Sequence, residues 1–287
     1  MMKSQHTNHY RFKNSLQLVL LISTMLLILS LIGWLFAGKT GVIWAMFIGL
    51  FLFLSIPNIS PHALLSMNGA KPLSYTQAPE IHNIVQWLAE QAGLQQKPEL
   101  YFIPRNTLIA YSVGKQPSTA IAISNGLLQI LNKRELIAVI AHEISHIVHN
   151  DILVMQVTQI IHIITSMFAL MAYLTILIYL PVLYLGEQPM PWVLLLILII
   201  APNLSVMIQL AISRLREFDA DMEAVKITND PLALASALQK LENYQQSWFQ
   251  RLTMSHRRLY IPKILNTHPS AKERIRRLKE MAEKGLN

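Results

Sequence analysis

Cysteine is absent from all 287 residues, which removes disulfides, thiolate metal sites and a cysteine nucleophile together. Any metal must be held by His, Asp or Glu. Charge is scarce as well: 14% of residues are charged against 53% hydrophobic, both departing from soluble averages toward a membrane protein. The formal net charge of +8 is not gathered into a block of one sign. No motif or aromatic-basic platform accompanies it, so nucleic acid is not an expected partner. Basic residues facing anionic lipid account for the excess more simply. Internal repeats and low-complexity segments are also missing.

In place of charge the chain has four long apolar stretches, Leu16 to Phe36, Thr40 to Ile56, Ile152 to Leu185 and Pro191 to Ile212. At roughly 20 residues per helical crossing, each is long enough to span a bilayer or close to it. The first, flanked by Arg11, Lys13 and Lys39, exceeds a signal-peptide core and is followed at once by the second, so it reads as a retained anchor. The third is uncharged for 34 residues, more than one crossing needs, and part of it should extend a helix outside the lipid. The turn Gly186-Glu187-Gln188-Pro189-Met190 carries no Lys or Arg. Nearly all basic residues fall on the other side, Lys39 excepted, so the positive-inside rule predicts two hairpins with both termini cytoplasmic.

The expected fold class is a predominantly α-helical membrane protein with four transmembrane helices and a discontinuous α+β domain. Residues 1–56 form the first hairpin, 57–151 the first part of the polar domain, 152–212 the second hairpin and 213–287 the second part. Within the polar parts, Glu80–Gln91 reads as a helix after Pro79, and Glu99–Ile103 and Thr119–Ser124 as short strands. Asn132 and Glu135 have capping-box spacing and open a helix through the 140s. Pro231–Gln246 and Ser270–Lys284 read as further helices.

That helix contains His142-Glu143-Ile144-Ser145-His146. Residues four apart share a helix face, so both imidazoles can reach one ion, and zinc accepts imidazole in tetrahedral geometry. Glu143 projects beside the ion, where it can hold a water and take its proton. A catalytic zinc needs a third protein ligand. The acidic run in Ser213–Asp221 supplies it: Glu217 and Asp221 are four apart, suited to one carboxylate on the metal and one orienting a ligand His. The uncharged hairpin between the two helices brings the chain back to its starting side.

His142–His146, the intervening hairpin, Ser-Arg-x-Arg-Glu-Phe-x-Ala-Asp at 213–221 and Thr267-His268-Pro269 together resemble the HtpX-type membrane zinc metalloproteases, relatives of the CAAX prenyl proteases. The resemblance implies a zincin-like (gluzincin) protease domain and one Zn2+ per chain on His142, His146 and Glu217. Glu143 would be the general base, Asp221 a supporting carboxylate and His268 a stabiliser of the oxyanion. It also implies a multi-pass plasma (inner) membrane protein with a cytoplasmic active site that cleaves damaged membrane proteins under stress. Two positions depart from the family pattern: Ile109-Ala110-Tyr111 stands where Asn-Ala-Phe is usual, and Asn150 where a Gly commonly precedes the Asp after the motif.

An extended substrate is expected to add as a strand near Ser118–Ser124. His149 reads as an interfacial histidine rather than a spare ligand, and His162 as an ionisable group within an apolar stretch. Arg214 and Arg216 read as anchors at a membrane exit, and Lys272–Lys279 as a lipid-facing or solvated helix face. The rival functions are a zinc-containing membrane scaffold or chaperone-like binder without proteolysis, and a prenyl-protein protease.

Overall fold

A computed structural model describes residues 2–55, 62, 65–66, 69–185, 192–253 and 271–285. His268, with Thr267 and Pro269, and the turn 186–190 lie outside the described residues. The chain folds as two compact units, one of residues 4–58 and 153–213, the other of residues 59–152 and 214–287 together with the first three.

The first unit is entirely helical among the described residues. Its helical run α1 (Met2–Ser55) is interrupted at Ala37 and Gly38, where Gly38 takes φ 59°, a left-handed conformation open to glycine at little cost. Gly33 and Gly41, on either side of that break, lie against each other: a Cβ added to Gly41 would sit 1.9 Å from the Gly33 carbonyl oxygen. The run therefore folds back as a tight hairpin packed through glycine backbones, a contact in which any side chain would intrude. Two long helices, α5 (Asp151–Leu185) and α6 (Trp192–Thr228), contribute their apolar parts to the same unit. All four apolar stretches meet in its interior: Met25 and Leu29, Ala45, Ile160 and Ile164, and Ile208 and Ile212 form one buried cluster.

The outside of this unit is apolar too, with Leu27, Ile43, Trp44, Phe47, Leu177 and Leu196 all exposed. A helix bundle greasy inside and outside has lipid, not water, as its natural surroundings. Among the described residues one helix, Leu195–Thr228, is long and apolar enough to cross a membrane by length and composition. The apolar segments Val19–Trp34, Ala37–Phe51 and Val157–Met171 are shorter.

The second unit packs helices on a four-stranded sheet. Strands β1 (Lys71–Pro72), β2 (Glu99–Ile103), β3 (Ala110–Lys115) and β4 (Ser118–Ser124) stand in the order β1-β2-β4-β3, with β2 and β4 parallel and the outer pairings antiparallel. Side chains alternate across β4 as the pleat requires. Ile121 and Ile123 join the helical core, and Ala120 and Ala122 face Tyr101, Ile103 and Leu65 on the other side. The helical core is built from α2 (Pro79–Gln91), α3 (Asn125–Ile130), α4 (Lys133–Val148), the end of α6 with Ala224 and Val225, α7 (Pro231–Thr253) and α8 (Ala271–Glu283).

The expected strand addition at Ser118–Ser124 is corrected by this topology. That strand is β4, flanked on both sides and buried from Thr119 on. Among the described residues the edge strands are the two-residue β1 and the six-residue β3, and β3 packs against α4. β3 was not legible because its residues are half polar and its strand state is imposed by pairing with β4.

Helix α4 is central. Asn132 Oδ1 accepts from the Glu135 amide at 2.9 Å, and Glu135 Oε2 accepts from the Asn132 amide at 2.9 Å, completing the capping box. The Glu135 carboxylate is also held by Ser236 Oγ and Lys240 Nζ of α7, each at 2.7 Å. The cap thus ties the start of α4 to the core as well as closing its first turn.

Candidate metal centre

On α4, His142 and His146 stand one turn apart and turn their Nε2 atoms toward each other, 3.2 Å apart. Glu217 approaches from α6, its Oε2 3.5 Å from His142 Nε2 and its Oε1 3.9 Å from His146 Nε2. Ligand atoms of these three residues lie within 4.8 Å of one another, the group able to hold a metal ion found among the described residues. Glu143 is buried on the same helix beside them.

The other face of each imidazole is occupied by a carboxylate. His142 Nδ1 is 3.0 Å from Asp221 Oδ1, and His146 Nδ1 is 2.6 Å from Asp151 Oδ2. Ionised carboxylates only accept, so each Nδ1 carries a hydrogen and each Nε2 is turned inward. Two imidazole nitrogens facing each other at this distance need either a shared proton or a metal ion between them. The donor set also has the right size. Zinc–ligand bonds of roughly 2.0–2.1 Å imply a tetrahedral edge of about 3.3 Å, against which the separations of 3.2, 3.5 and 3.9 Å compare directly. The residues fit a tetrahedral ion with one position left open.

Arg274 of α8 closes the opposite side. Its Nε and Nη2 grip Asp221 at 2.7 and 2.6 Å, its Nη1 donates to Glu217 at 2.6 Å, and Nη2 lies 3.4 Å from His142 Nε2. It is only 7% exposed. This corrects the reading of Lys272–Lys279 as a lipid-facing or solvated face. Lys272, Arg276 and Lys279 turn outward, but Arg274 belongs to the site. The Arg277 guanidinium, stacked 3.8 Å over the Phe218 ring, adds a cation–π contact that docks α8 on α6. Arg216 is likewise no mere anchor. It pairs with Asp219 at 3.4 Å, three residues on along the helix, and with Asp151, to which no local spacing in the sequence pointed. Arg214 remains exposed.

These neighbours set the protonation of the metal-free site. Burial and the Arg274 charge press the His142 imidazole toward neutrality, but its bonds to Asp221 and Glu217 outweigh them and carry its pKa up to about 9. Burial opposes ionisation of Asp221, yet Arg274 and His142 hold its carboxyl below the ordinary value. A proton therefore occupies the donor set at neutral pH until a metal replaces it.

The two departures from the family pattern have different characters. Asn150 adopts φ 52°, the left-handed conformation in which Gly is easiest and Asn among the next best, so it serves the same helix ending. Ile109-Ala110-Tyr111 leads into β3, where Ala110 and Tyr111 pair with Ile123 and Ala122, and it places an exposed Ile109 at the open edge. His149 caps α4 with its Nδ1 2.9 Å from the Ser145 carbonyl and is outside the converging group. Burial lowers its pKa. His162 lies in the apolar unit, where no hydrogen-bond partner among the described residues reaches its Nδ1.

The chain matches known proteins along most of its length. Residues 75–282 match peptidase family M48. The chain is 36% identical to a Protease HtpX homolog of Sulfurihydrogenibium sp. (strain YO3AOP1) over 94% of its own length and 97% of the relative's. It is 34% identical to a Protease HtpX homolog of Aquifex aeolicus (strain VF5) over 90% and 89%. The crystal structure of S. mikatae Ste24p shares the fold at a TM-score of 0.51 and 20% identity, over 93% of this chain and 65% of that longer one. With a family match across most of its length and close relatives spanning nearly all of it, the chain belongs to peptidase family M48 and is a metalloprotease of the HtpX type.

Proposed function

We propose that the protein is a zinc endopeptidase of the plasma (inner) membrane whose metal is held by His142, His146 and Glu217. The observation that carries this reading is the donor triad sized for a tetrahedral ion, with each imidazole backed by a carboxylate. When bound, zinc would acidify a water and polarise a peptide carbonyl. Glu143 takes the proton from the attacking water and passes it to the leaving amine. Asp221 orients His142. Arg274 stands where negative charge gathers, donates to Glu217 and holds the Asp221 carboxyl below its ordinary value. His268 is assigned to the oxyanion by family resemblance alone.

An extended peptide adds to the open edge of β3, beside the metal helix, with backbone hydrogen bonds setting its direction. Residues 1–56 and 152–212 are the two membrane hairpins, four spans in all. Residues 57–151 and 213–287 make up a zincin-like domain on the cytoplasmic side, as the distribution of Lys and Arg favours. The four apolar segments packed in one bundle with an apolar exterior support that assignment. Damaged or misfolded membrane proteins are the substrate class suited to such an arrangement.

The test is Glu143→Gln in the purified, detergent-solubilised protein. Zinc content should stay at one per chain while self-cleavage and cleavage of an unfolded substrate such as casein cease. Proteolysis that survives in this variant would overturn the assignment of the base.

A further inference from the structure

The two ligand histidines are supported by matching arrangements. His142 leans on Asp221, which is gripped by Arg274; His146 leans on Asp151, which is gripped by Arg216. The second chain is the less expected. Asp151 follows His146 by five residues, and in a continuous helix that step rotates a side chain about 140° off the ligand's face. Asp151 reaches His146 only because α4 ends at Val148 and Asn150 turns through φ 52° before α5 begins.

Its two oxygens are then divided, Oδ2 to His146 Nδ1 and Oδ1 to Arg216. Arg216 is the residue before Glu217 on α6. Its side chain is only 11% exposed, with Asp219 on its far side, so it is not directed at lipid headgroups or water.

We infer that Arg216 is a positioning residue that acts through Asp151 on His146, linking the helix that supplies Glu217 to the helix that supplies the two imidazoles. The ligands on α4 and α6 are thereby fixed to each other through a buried ion pair before any metal arrives. Without Asp151 the His146 ring is free to rotate about its side-chain bonds and to take the other tautomer. Without Arg216 the carboxylate that orients it loses its own anchor.

This inference rests on His146 being a metal ligand, and the experiment separates the two. Zinc affinity is measured on full-length protein in detergent by competition with a chromophoric chelator, alongside the melting temperature of the zinc-free form and the visible spectrum of the cobalt-substituted form. Asp151→Ala should weaken zinc binding about 10- to 100-fold, the usual range for removing a partner of a metal-bound imidazole. It should also alter the cobalt bands. Asp151→Asn, which keeps the shape and an acceptor oxygen, should lose less.

Arg216→Ala should weaken binding, Arg216→Lys should recover most of the loss, and Arg216→Ala should have no further effect on top of Asp151→Ala. Losses that multiply in the double variant would overturn the relay. So would an Asp151→Ala protein that binds zinc within twofold of the parent while His146→Ala abolishes binding. If His146→Ala itself leaves the affinity intact, it is the ligand assignment that fails.

Discussion

Replacing Arg274 with methionine removes one buried cation and leaves two carboxylates without their partner. Arg274 supplies three short charged hydrogen bonds, two to Asp221 and one to Glu217, and all three residues are less than 9% exposed. Breaking a buried ion pair by deleting one member costs about 3–5 kcal/mol because the remaining charge stays desolvated. Methionine fills similar volume, so little cavity penalty is added. His142 can offset part of the loss through Asp221, which sets the expectation at about 3–4 kcal/mol for the zinc-free protein.

At roughly 2–4 °C per kcal/mol for a unit of this size, the zinc-free melting temperature should fall by about 6–16 °C. With zinc present, Glu217 has a new cation, so the fall should be clearly smaller and the stabilisation by added zinc larger than in the parent. Differential scanning fluorimetry on intrinsic tryptophan, with and without a chelator, reads both quantities. A zinc-free Arg274→Met protein melting within about 2 °C of the parent would refute the reasoning. Equal losses with and without zinc would show that Arg274 does not share Glu217 with the metal.

Glu217→Ala should reduce bound zinc well below one equivalent by elemental analysis while the protein remains folded by circular dichroism. Because His142 in the metal-free site holds its proton up to about pH 9, zinc must displace that proton. Apparent zinc affinity should therefore rise by about tenfold per pH unit on this account and level off above pH 9, as a chelator titration from pH 6 to 10 would reveal. Lys240 and Ser236, helped by the Asn132 amide, overcome the burial of Glu135 and lower its pKa. A depressed carboxylate stabilises the fold above its unfolded value of about 4.5 and loses that stabilisation as pH falls through the folded value. Lys240→Met should shift the onset of acid unfolding to higher pH. Gly41→Leu would force a Cβ into the Gly33 carbonyl and should destabilise the α1 hairpin by about 3 kcal/mol or more, read as a lower melting temperature and poorer yield.

Much of the arrangement was readable from local pattern. The His142–His146 spacing places two imidazoles on one helical face whatever surrounds them. The same four-residue step presents Glu217 and Asp221 together. Asn132 and Glu135 announce the start of α4 through chemistry confined to four residues, and uncharged runs mark four apolar helical segments by composition. Each of these signals lies within one or two turns of the chain, where backbone geometry alone relates the residues.

What lay beyond reach depends on contacts between segments far apart in sequence. Arg274 looks like any member of a basic amphipathic helix, and only the docking of α8 against α6 turns it onto Asp221 and Glu217. Arg216 and Asp151 are separated by 65 residues, and nothing in either neighbourhood foretells their pairing. The open edge of the sheet could not be read because strand order is a tertiary choice. β4 carries the stronger strand signal for the same reason that it ends up inside. Sequence by itself determined which residue types could hold a cation and which helices present them. The tertiary structure decided which charges neutralise them, since long-range electrostatic partners are selected by packing and leave no periodic trace along the chain.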